Sequence, residues 1–315
     1  MPMTTGQFNS YLNEASKKVQ IAQSLLDKKS YARKFVNFQT TKKQVQYVQD
    51  IENMGAAEIW PEGAARPEKT MNEGWRQSYT QTPWAALIDI TKPMRKFGLT
   101  DLINKLLAQL KFAPVKTREI IFANYLEFGD LSTGLPQAGL HNMINTLGGD
   151  GLTLFHAAHT NKTGGGTWRN LSAASDDLTE TGLGTIRTYL TRGKDNTGYA
   201  TGVRLQNVII PADLETKAVK LFNSALEPTT NNNAVNVGKR FAPGGYWVHP
   251  LLVDTTAWFG QTDASEGTLD AFIGWNDEVE SGPNNRNPRT GNECVSVDFS
   301  IAHGALALHS LLKVT

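Results

Sequence analysis

Apolar positions recur at three- and four-residue steps in some stretches and gather in short β-branched runs in others, which predicts a mixed α+β chain. The strongest helical pattern opens at Thr100 or Asp101 as N-cap and continues through Leu102, Ile103, Leu106, Leu107 and Leu110. Pro114 lacks a backbone N–H and clashes with the preceding turn, so a kink or break is expected there, after which Ile120, Ile121 and Leu126 resume the period to Gly129. The expectation is one long, bent helix. A shorter helix runs from Gly182 through Ile186 and Leu190 to near Gly193, a buried strand from Arg204 to Pro211, and a helix from Asp213 to Ala225. Further strands are expected from Tyr246 to Val253 and from Leu269 to Trp275, with a β-rich close at Val295 to Phe299 and Ala305 to Lys313. The Asn- and Gly-rich stretches from Asn231 to Asn236 and from Ser281 to Asn292 read as loops, and no internal repeat is present.

Two segments before the long helix do not read as parts of a self-sufficient core. Near the N-terminus Phe8, Leu12, Ala15, Val19, Ala22 and Leu26 mark an amphipathic helix laid on an apolar surface. From Gly55 to Met94 the chain reads as a two-stranded excursion, with strands from Trp75 to Thr82 and from Trp84 to Thr91 and a middle broken by Pro61, Gly63, Pro67 and Gly74. An isolated hairpin is marginal in water, because two strands bury too little apolar surface to offset the entropy of ordering them. Such a hairpin needs a surface to lie on, either the body of its own chain or a neighbouring copy, which would also cover its strand edges.

The 315 residues are enough for one large or two modest domains, and 40% apolar residues are ample for real cores. A single cysteine, Cys294, excludes an intramolecular disulfide framework, which fits a reducing compartment. There is no apolar signal segment and no run of eighteen apolar residues, so a soluble, unexported protein with no membrane partner is expected. The net charge is only +1, but it is unevenly spread. Lys17, Lys18, Lys28, Lys29, Arg33, Lys34, Lys42 and Lys43 face only Glu14 and Asp27 before Val45, making a basic arm on a neutral body. That arm is either a solvated helix face or an electrostatic contact to a polyanion, and no groove-reading motif decides between them.

Candidate chemistry centres on GLTLFHAAHTN, from Gly151 to Asn161. His156 and His159 lie three apart, on one face if the segment is helical, and neutral imidazole is a common zinc ligand. A zinc site needs a third ligand, and no Glu follows His156 in the H-E-x-x-H arrangement, so the two histidines read as structural. No phosphate-cradling loop, nucleophile elbow or redox cysteine pair is present, which disfavours the common motif-bearing enzymes and points to no cofactor.

Several separated blocks together resemble the major capsid proteins of tailed bacteriophages, in particular the Mu-like major head subunit branch. They are PEGAARPEKTMNEGWRQSYT, DGLTLFHAAHTN with the pattern DG-x-x-LF-x-x-x-H-x-N, VIIPADLETKAVKLF and VHPLLVDTTAWF, in matching order across roughly Gly55 to Thr315. The resemblance implies a Hong Kong 97 type fold: an N-terminal arm at residues 1–54, an extended β-hairpin loop at 55–98, and a peripheral domain at 99–203 with a spine helix at about 100–128. An axial domain at 204–286 and closing strands of the peripheral domain at 287–315 would complete it.

By the same resemblance the chain would be a structural, non-enzymatic head protein that assembles as pentamers and hexamers into an icosahedral shell around double-stranded DNA. It would be a virion component assembled in the host cytoplasm. Its other partners would be a portal protein and, where used, scaffolding or decoration proteins. Trp60, Glu62, Arg66, Glu68, Lys69, Trp75 and Arg76 of the extended loop would touch a neighbouring subunit. Lys17, Lys18, Lys28, Lys29, Arg33 and Lys34 would face DNA, and Leu154, Phe155, His159 and Asn161 would form a structural turn, with the His159 and Asn161 side chains satisfying backbone groups. Lys69 is the only lysine between Gly55 and Ile90 and reads as a solvated loop residue rather than a cross-linking one, and Met1 or Pro2 is expected to start the mature subunit. Two rivals stay open: an encapsulin-like shell around a cargo enzyme, and a metal-dependent hydrolase using His156, His159 and Asp150.

Overall fold

A computed structural model describes residues 30–70, 72–97, 99–110, 112–132, 144–172, 177–224, 236–264, 269–274, 278–287, 289–305 and 310–315. The expected N-terminal amphipathic helix, and the loop at Asn231 to Asn236 apart from its last residue, lie outside them. In chain order the elements begin with β1 (Val36–Thr40), β2 (Val45–Glu52), β3 (Asn72–Thr80) and β4 (Thr82–Ile90). The helices α1 (Lys92–Lys96), α2 (Thr100–Leu110) and α3 (Ala113–Phe128) follow, then β5 (His159–Thr160), β6 (Thr167–Trp168) and α4 (Glu180–Thr191). The remainder is β7 (Leu205–Ile210), α5 (Glu215–Asn223), α6 (Gly238–Phe241), β8 (Tyr246–Val248), β9 (Trp258–Thr262), β10 (Leu269–Ile273), β11 (Glu278–Arg286), β12 (Glu293–Ala305) and β13 (Leu311–Val314). The chain divides into two compact units, one from the described residues up to 46 with 79–122 and 271–303, the other from 47–78, 123–270 and 304–315.

In the first unit β1, β10, β12 and β11 form a sheet in that order, and β4 also pairs with β12. The β4–β12 ladder is antiparallel, from Glu293 opposite Ile90 to Ile301 opposite Thr82. Helix α2 lays Ile103, Leu107 and Leu110 against Ile90, Val295 and Val297, each such burial contributing roughly 1.5–3 kcal/mol. The long helix proves to be two. The break comes before Pro114, between Leu110 and Ala113, because a proline in the first turn of a helix gives up an N–H that would have no partner anyway.

The second unit is built on a four-stranded sheet ordered β13, β9, β7, β8. β7 runs parallel to β8 and antiparallel to β9, so it is flanked on both sides, which suits its nearly continuous apolar run. Val208 and Ile210 from β7, Trp258 from β9 and Leu312 and Val314 from β13 meet Leu183 and Ile186 of α4 and Ala218, Leu221 and Phe222 of α5. Thr179 caps α4, its Oγ1 accepting from the Gly182 N–H at 3.1 Å, so the helix starts two residues before the position its apolar period marks.

Four other expectations are corrected. β3 and β4 are both strands but not each other's partners: β3 pairs with β2 and β4 with β12. The hairpin is therefore formed by β2 and β3, with residues 53–70 between them, and its first strand lies in the stretch assigned to the arm. The segment from Ser281 to Arg286 is strand, because its backbone pairs with β12 through an irregular register despite Gly282 and Pro283. The strand from Tyr246 stops at Val248 instead of reaching Val253. Pro250 lacks the N–H that a longer ladder would need, and the chain turns there, Leu252 N–H reaching His249 O at 3.4 Å. The sequence pattern does not predict β9, since WFGQT shows no alternation; its Gly260 leaves no room for a side chain, a Cβ there falling 2.6 Å from Leu205.

Candidate assembly surface

The β2–β3 hairpin is tied at its base to two loops of its own unit. The Glu52 carboxylate accepts from the Lys162 N–H at 2.6 Å and from the N–H and hydroxyl of Thr163, while Lys162 Nζ donates to Gly74 O at 3.2 Å. Asn53 Nδ2 donates to Asp195 at 3.2 Å, and Asn196 Nδ2 donates to Asn53 O at 3.0 Å. Trp75 Nε1 reaches Thr160 O at 2.9 Å, and the Arg76 guanidinium lies 4.4 Å from the centre of the Tyr47 ring. Gly165 lets the loops meet: its φ is +89°, and a Cβ there would fall 2.3 Å from Asn196 O. Burial pulls the Asp195 carboxyl up, but hydrogen bonds from Thr197, Asn53 and Tyr199 outweigh it and hold the group below its ordinary range.

Beyond this latch residues 53–70 run out, and all of them are exposed. Ile59 is 93% and Trp60 53% exposed. The tip is nonetheless shaped: Ala64 N–H bonds Pro61 O at 3.2 Å, Trp60 Nε1 donates to Ala64 O at 2.7 Å, and the Arg66 guanidinium lies 5.3 Å from the Trp60 ring centre. Lys69 pairs with Glu58. Glu62 and Glu68 are exposed and have no ion pair among the described residues. The seven expected contact residues thus divide, with Trp60, Glu62, Arg66, Glu68 and Lys69 at the tip and Trp75 and Arg76 on β3 near the base.

The histidine block sits inside the same unit and is not helical. His159 is fully buried, with Nδ1 2.6 Å from Asp150 Oδ2 and Nε2 3.2 Å from Asn170 Oδ1, and its ring stacks on Trp168 at 4.5 Å. Asn170 Oδ1 also accepts from the His156 N–H, and its Nδ2 donates to Leu154 O at 2.6 Å. His156 Nδ1 accepts from the Ala158 N–H at 3.1 Å. Burial raises the Asp150 carboxyl, but the His159 contact and the Leu152 N–H more than offset this and lower it. Both nitrogens of His159 therefore face protein partners, and no group of three metal-ligating side chains occurs among the described residues. The turn is built differently from the expectation: His159 bonds the side chains of Asp150 and Asn170 rather than backbone, Asn170 does the backbone bonding, and Asn161 Nδ2 is buried with no hydrogen-bond partner among the described residues. Leu154 and Phe155 are buried, Phe155 facing Phe259 with ring centres 6.1 Å apart.

Of the basic arm, Lys17, Lys18, Lys28 and Lys29 lie outside the described residues. Arg33 and Lys34 are exposed in a 3-10 turn, over the rings of Phe38 and Tyr31. Sequence reading misses Glu52, Asn53, Lys162, Thr163, Asp195 and Asn196 at the latch. The one local signal is the D-x-T pattern at Asp195, whose Oδ1 accepts from the Thr197 N–H at 3.0 Å as in an Asx turn.

No family model matches the sequence, and no curated protein is similar to it. Solved structures are similar over nearly the whole chain. A virus-like particle from Pyrococcus furiosus is 13% identical, covering 95% of this chain and 98% of that one at a TM-score of 0.50. The capsid of Ralstonia phage GP4 is 9% identical, with 87% and 86% covered and a TM-score of 0.51. This is a Hong Kong 97 type capsid fold. The capsid of Myoviridae phage XM1 shares it as well, at 10% identity, 88% and 89% coverage and a TM-score of 0.50. Among the described residues of this capsid fold no helix is long and apolar enough to cross a membrane.

Proposed function

We propose that the chain is the structural subunit of a closed protein shell, a major capsid protein that assembles as pentamers and hexamers around double-stranded DNA. The observation that carries this reading is the capsid fold itself, matched along almost the full length of both chains. The hairpin adds support: its base is fixed by charged and polar bonds while its tip keeps Ile59 and Trp60 in water, an arrangement that suits contact with another copy. We assign the extended loop to β2, the tip and β3, the spine to α2 and α3, and the axial domain to residues 204–270, because β10 and β11 join the sheet of the first unit. Head-to-tail contact between identical copies closes into rings, which lets one sequence make a shell. Arg33 and Lys34, with the lysines before them, are the DNA-facing charges of this reading.

Size-exclusion chromatography with negative-stain electron microscopy tests it. Closed shells, or rings of five and six subunits, are expected; a monomer at every protein and salt concentration overturns the self-assembling reading. Nuclease-protected DNA inside the particles supports a genome container, whereas particles holding a protein cargo and no DNA support the encapsulin-like alternative. A hydrolase at the histidine block is disfavoured by the protein contacts at both nitrogens of His159.

A further inference from the structure

Beside α4 lies a cleft of about 1100 Å³. Arg187, Arg192 and Lys194 bring three cations to it, Trp168, Tyr189 and Phe241 form aromatic walls, and no carboxylate lines it among the described residues. Arg187 is held with its guanidinium 5.2 Å from the centre of the Phe241 ring. Arg192 and Lys194 have no ion pair among the described residues, and Asp195, next in sequence, is already taken up by Asn53, Thr197 and Tyr199. Such a lining suits a segment that carries negative charge together with a bulky apolar anchor.

Between Gly55 and Thr70 the hairpin tip carries Glu58, Glu62 and Glu68 against Arg66 and Lys69, a net charge of −1; Lys69 is taken up by Glu58, and Arg66 lies over the Trp60 ring. Glu62 and Glu68 are exposed without ionic partners among the described residues, Ile59 stands in solvent and Trp60 is half-exposed, so among the described residues the tip fills no cleft of its own chain. Trp is a favoured interface anchor, and the Pro61–Ala64 turn with the Trp60–Ala64 bond gives the tip its shape before any contact, reducing the entropy lost on docking. We infer that the hairpin tip of one copy seats in the basic, aromatic-walled cleft beside α4 of a second copy. The inference rests on the shell-subunit reading and names the receiving surface that reading leaves open. Cations and aromatics would also suit a single nucleic-acid strand. The tip is favoured because its unpaired carboxylates and exposed Trp60 match both features of the cleft.

The experiment uses particles purified from expressing cells. Cys294 is the only cysteine and is buried, so introduced cysteines report cleanly. Particles carrying E62C with R192C, or E68C with K194C, are expected to give a ladder of covalent multimers on mild oxidation, and the single variants none. The absence of a ladder from both pairs overturns the seat. In parallel, R192E/K194E and E62K/E68K should each lower particle yield by about tenfold or more, since like charges at an interface cost several kcal/mol and about 1.4 kcal/mol is tenfold. Combining the two sets should restore yield. If replacing residues 57–68 with a Gly-Ser linker leaves assembly unchanged, the hairpin reading itself fails. If that replacement stops assembly while R192E/K194E does not, only the cleft assignment fails. R192E/K194E particles that form normally but lose nucleic acid overturn it in favour of a polyanion site.

Discussion

The hairpin tip and the block around His159 are both turn-rich, mixed polar and apolar stretches of one unit, yet they resolve in opposite ways. In the block the large apolar side chains go inward and the central imidazole is matched: Leu154 and Phe155 are buried, and His159 is held between Asp150 and Asn170. At the tip the polar groups make short local bonds while Ile59 and Trp60 remain in water. Buried polar atoms are costly unless paired, so the buried imidazole at the centre of the block is satisfied within the chain. An exposed tryptophan carries no such requirement, and its place in a shaped loop is best explained by contact outside the chain. Under the proposed function the first region serves folding and the second assembly, and substitutions can separate these roles.

The largest loss of subunit stability is expected from Trp258→Ala, which empties a fully buried site among β7, β9 and β13 and should cost about 3–5 kcal/mol in chemical denaturation. Next comes Asp150→Asn, which removes the charge facing buried His159 and should cost roughly 1–3 kcal/mol at neutral pH. The folded Asp150 carboxyl is lowered from its ordinary 3.8, so its contribution is present above 3.8 and is lost as pH falls through the lower folded value. The gap between wild type and Asp150→Asn should therefore close in acid; a constant gap from about pH 7 to about pH 3 would show that the carboxylate charge is not what stabilises the block.

Much of this division can be read from the sequence, and what escapes has physical causes. Residues of α2 and β7 announce themselves because their burial is periodic or continuous, and the hairpin's need for support follows from its broken, polar middle. Its true partner strand does not: β2 alternates no more clearly than β4, and pairing is a non-local choice made by the edges each strand finds. His159 can be read as structural from a missing third ligand, but Asp150 and Asn170 as its partners cannot, since loop closure over nine and eleven residues leaves no period. The latch is invisible for the same reason, with Glu52 meeting Thr163 across 111 residues.

The remaining predictions follow the hairpin outward from its base. Glu52→Gln keeps the shape but replaces a carboxylate that accepts from two backbone N–H groups and a hydroxyl; a loss of about 1 kcal/mol is expected, with faster amide hydrogen exchange in β2 and β3 and none elsewhere. Uniform exchange across the unit would show that Glu52 holds the fold rather than the hairpin.

At the far end, Trp60→Ala should change subunit stability by less than ~0.5 kcal/mol, because a half-exposed tip residue leaves no cavity behind. Yet it should have the strongest effect on particle formation of these four substitutions, since an interface anchor contributes only when a second copy covers it. The two readouts therefore run in opposite order for Trp258 and Trp60. An unfolding curve that moves by several kcal/mol for Trp60→Ala would place that residue with the core, whereas normal particles from a Trp60→Ala subunit of unchanged stability would deny the tip a role in assembly.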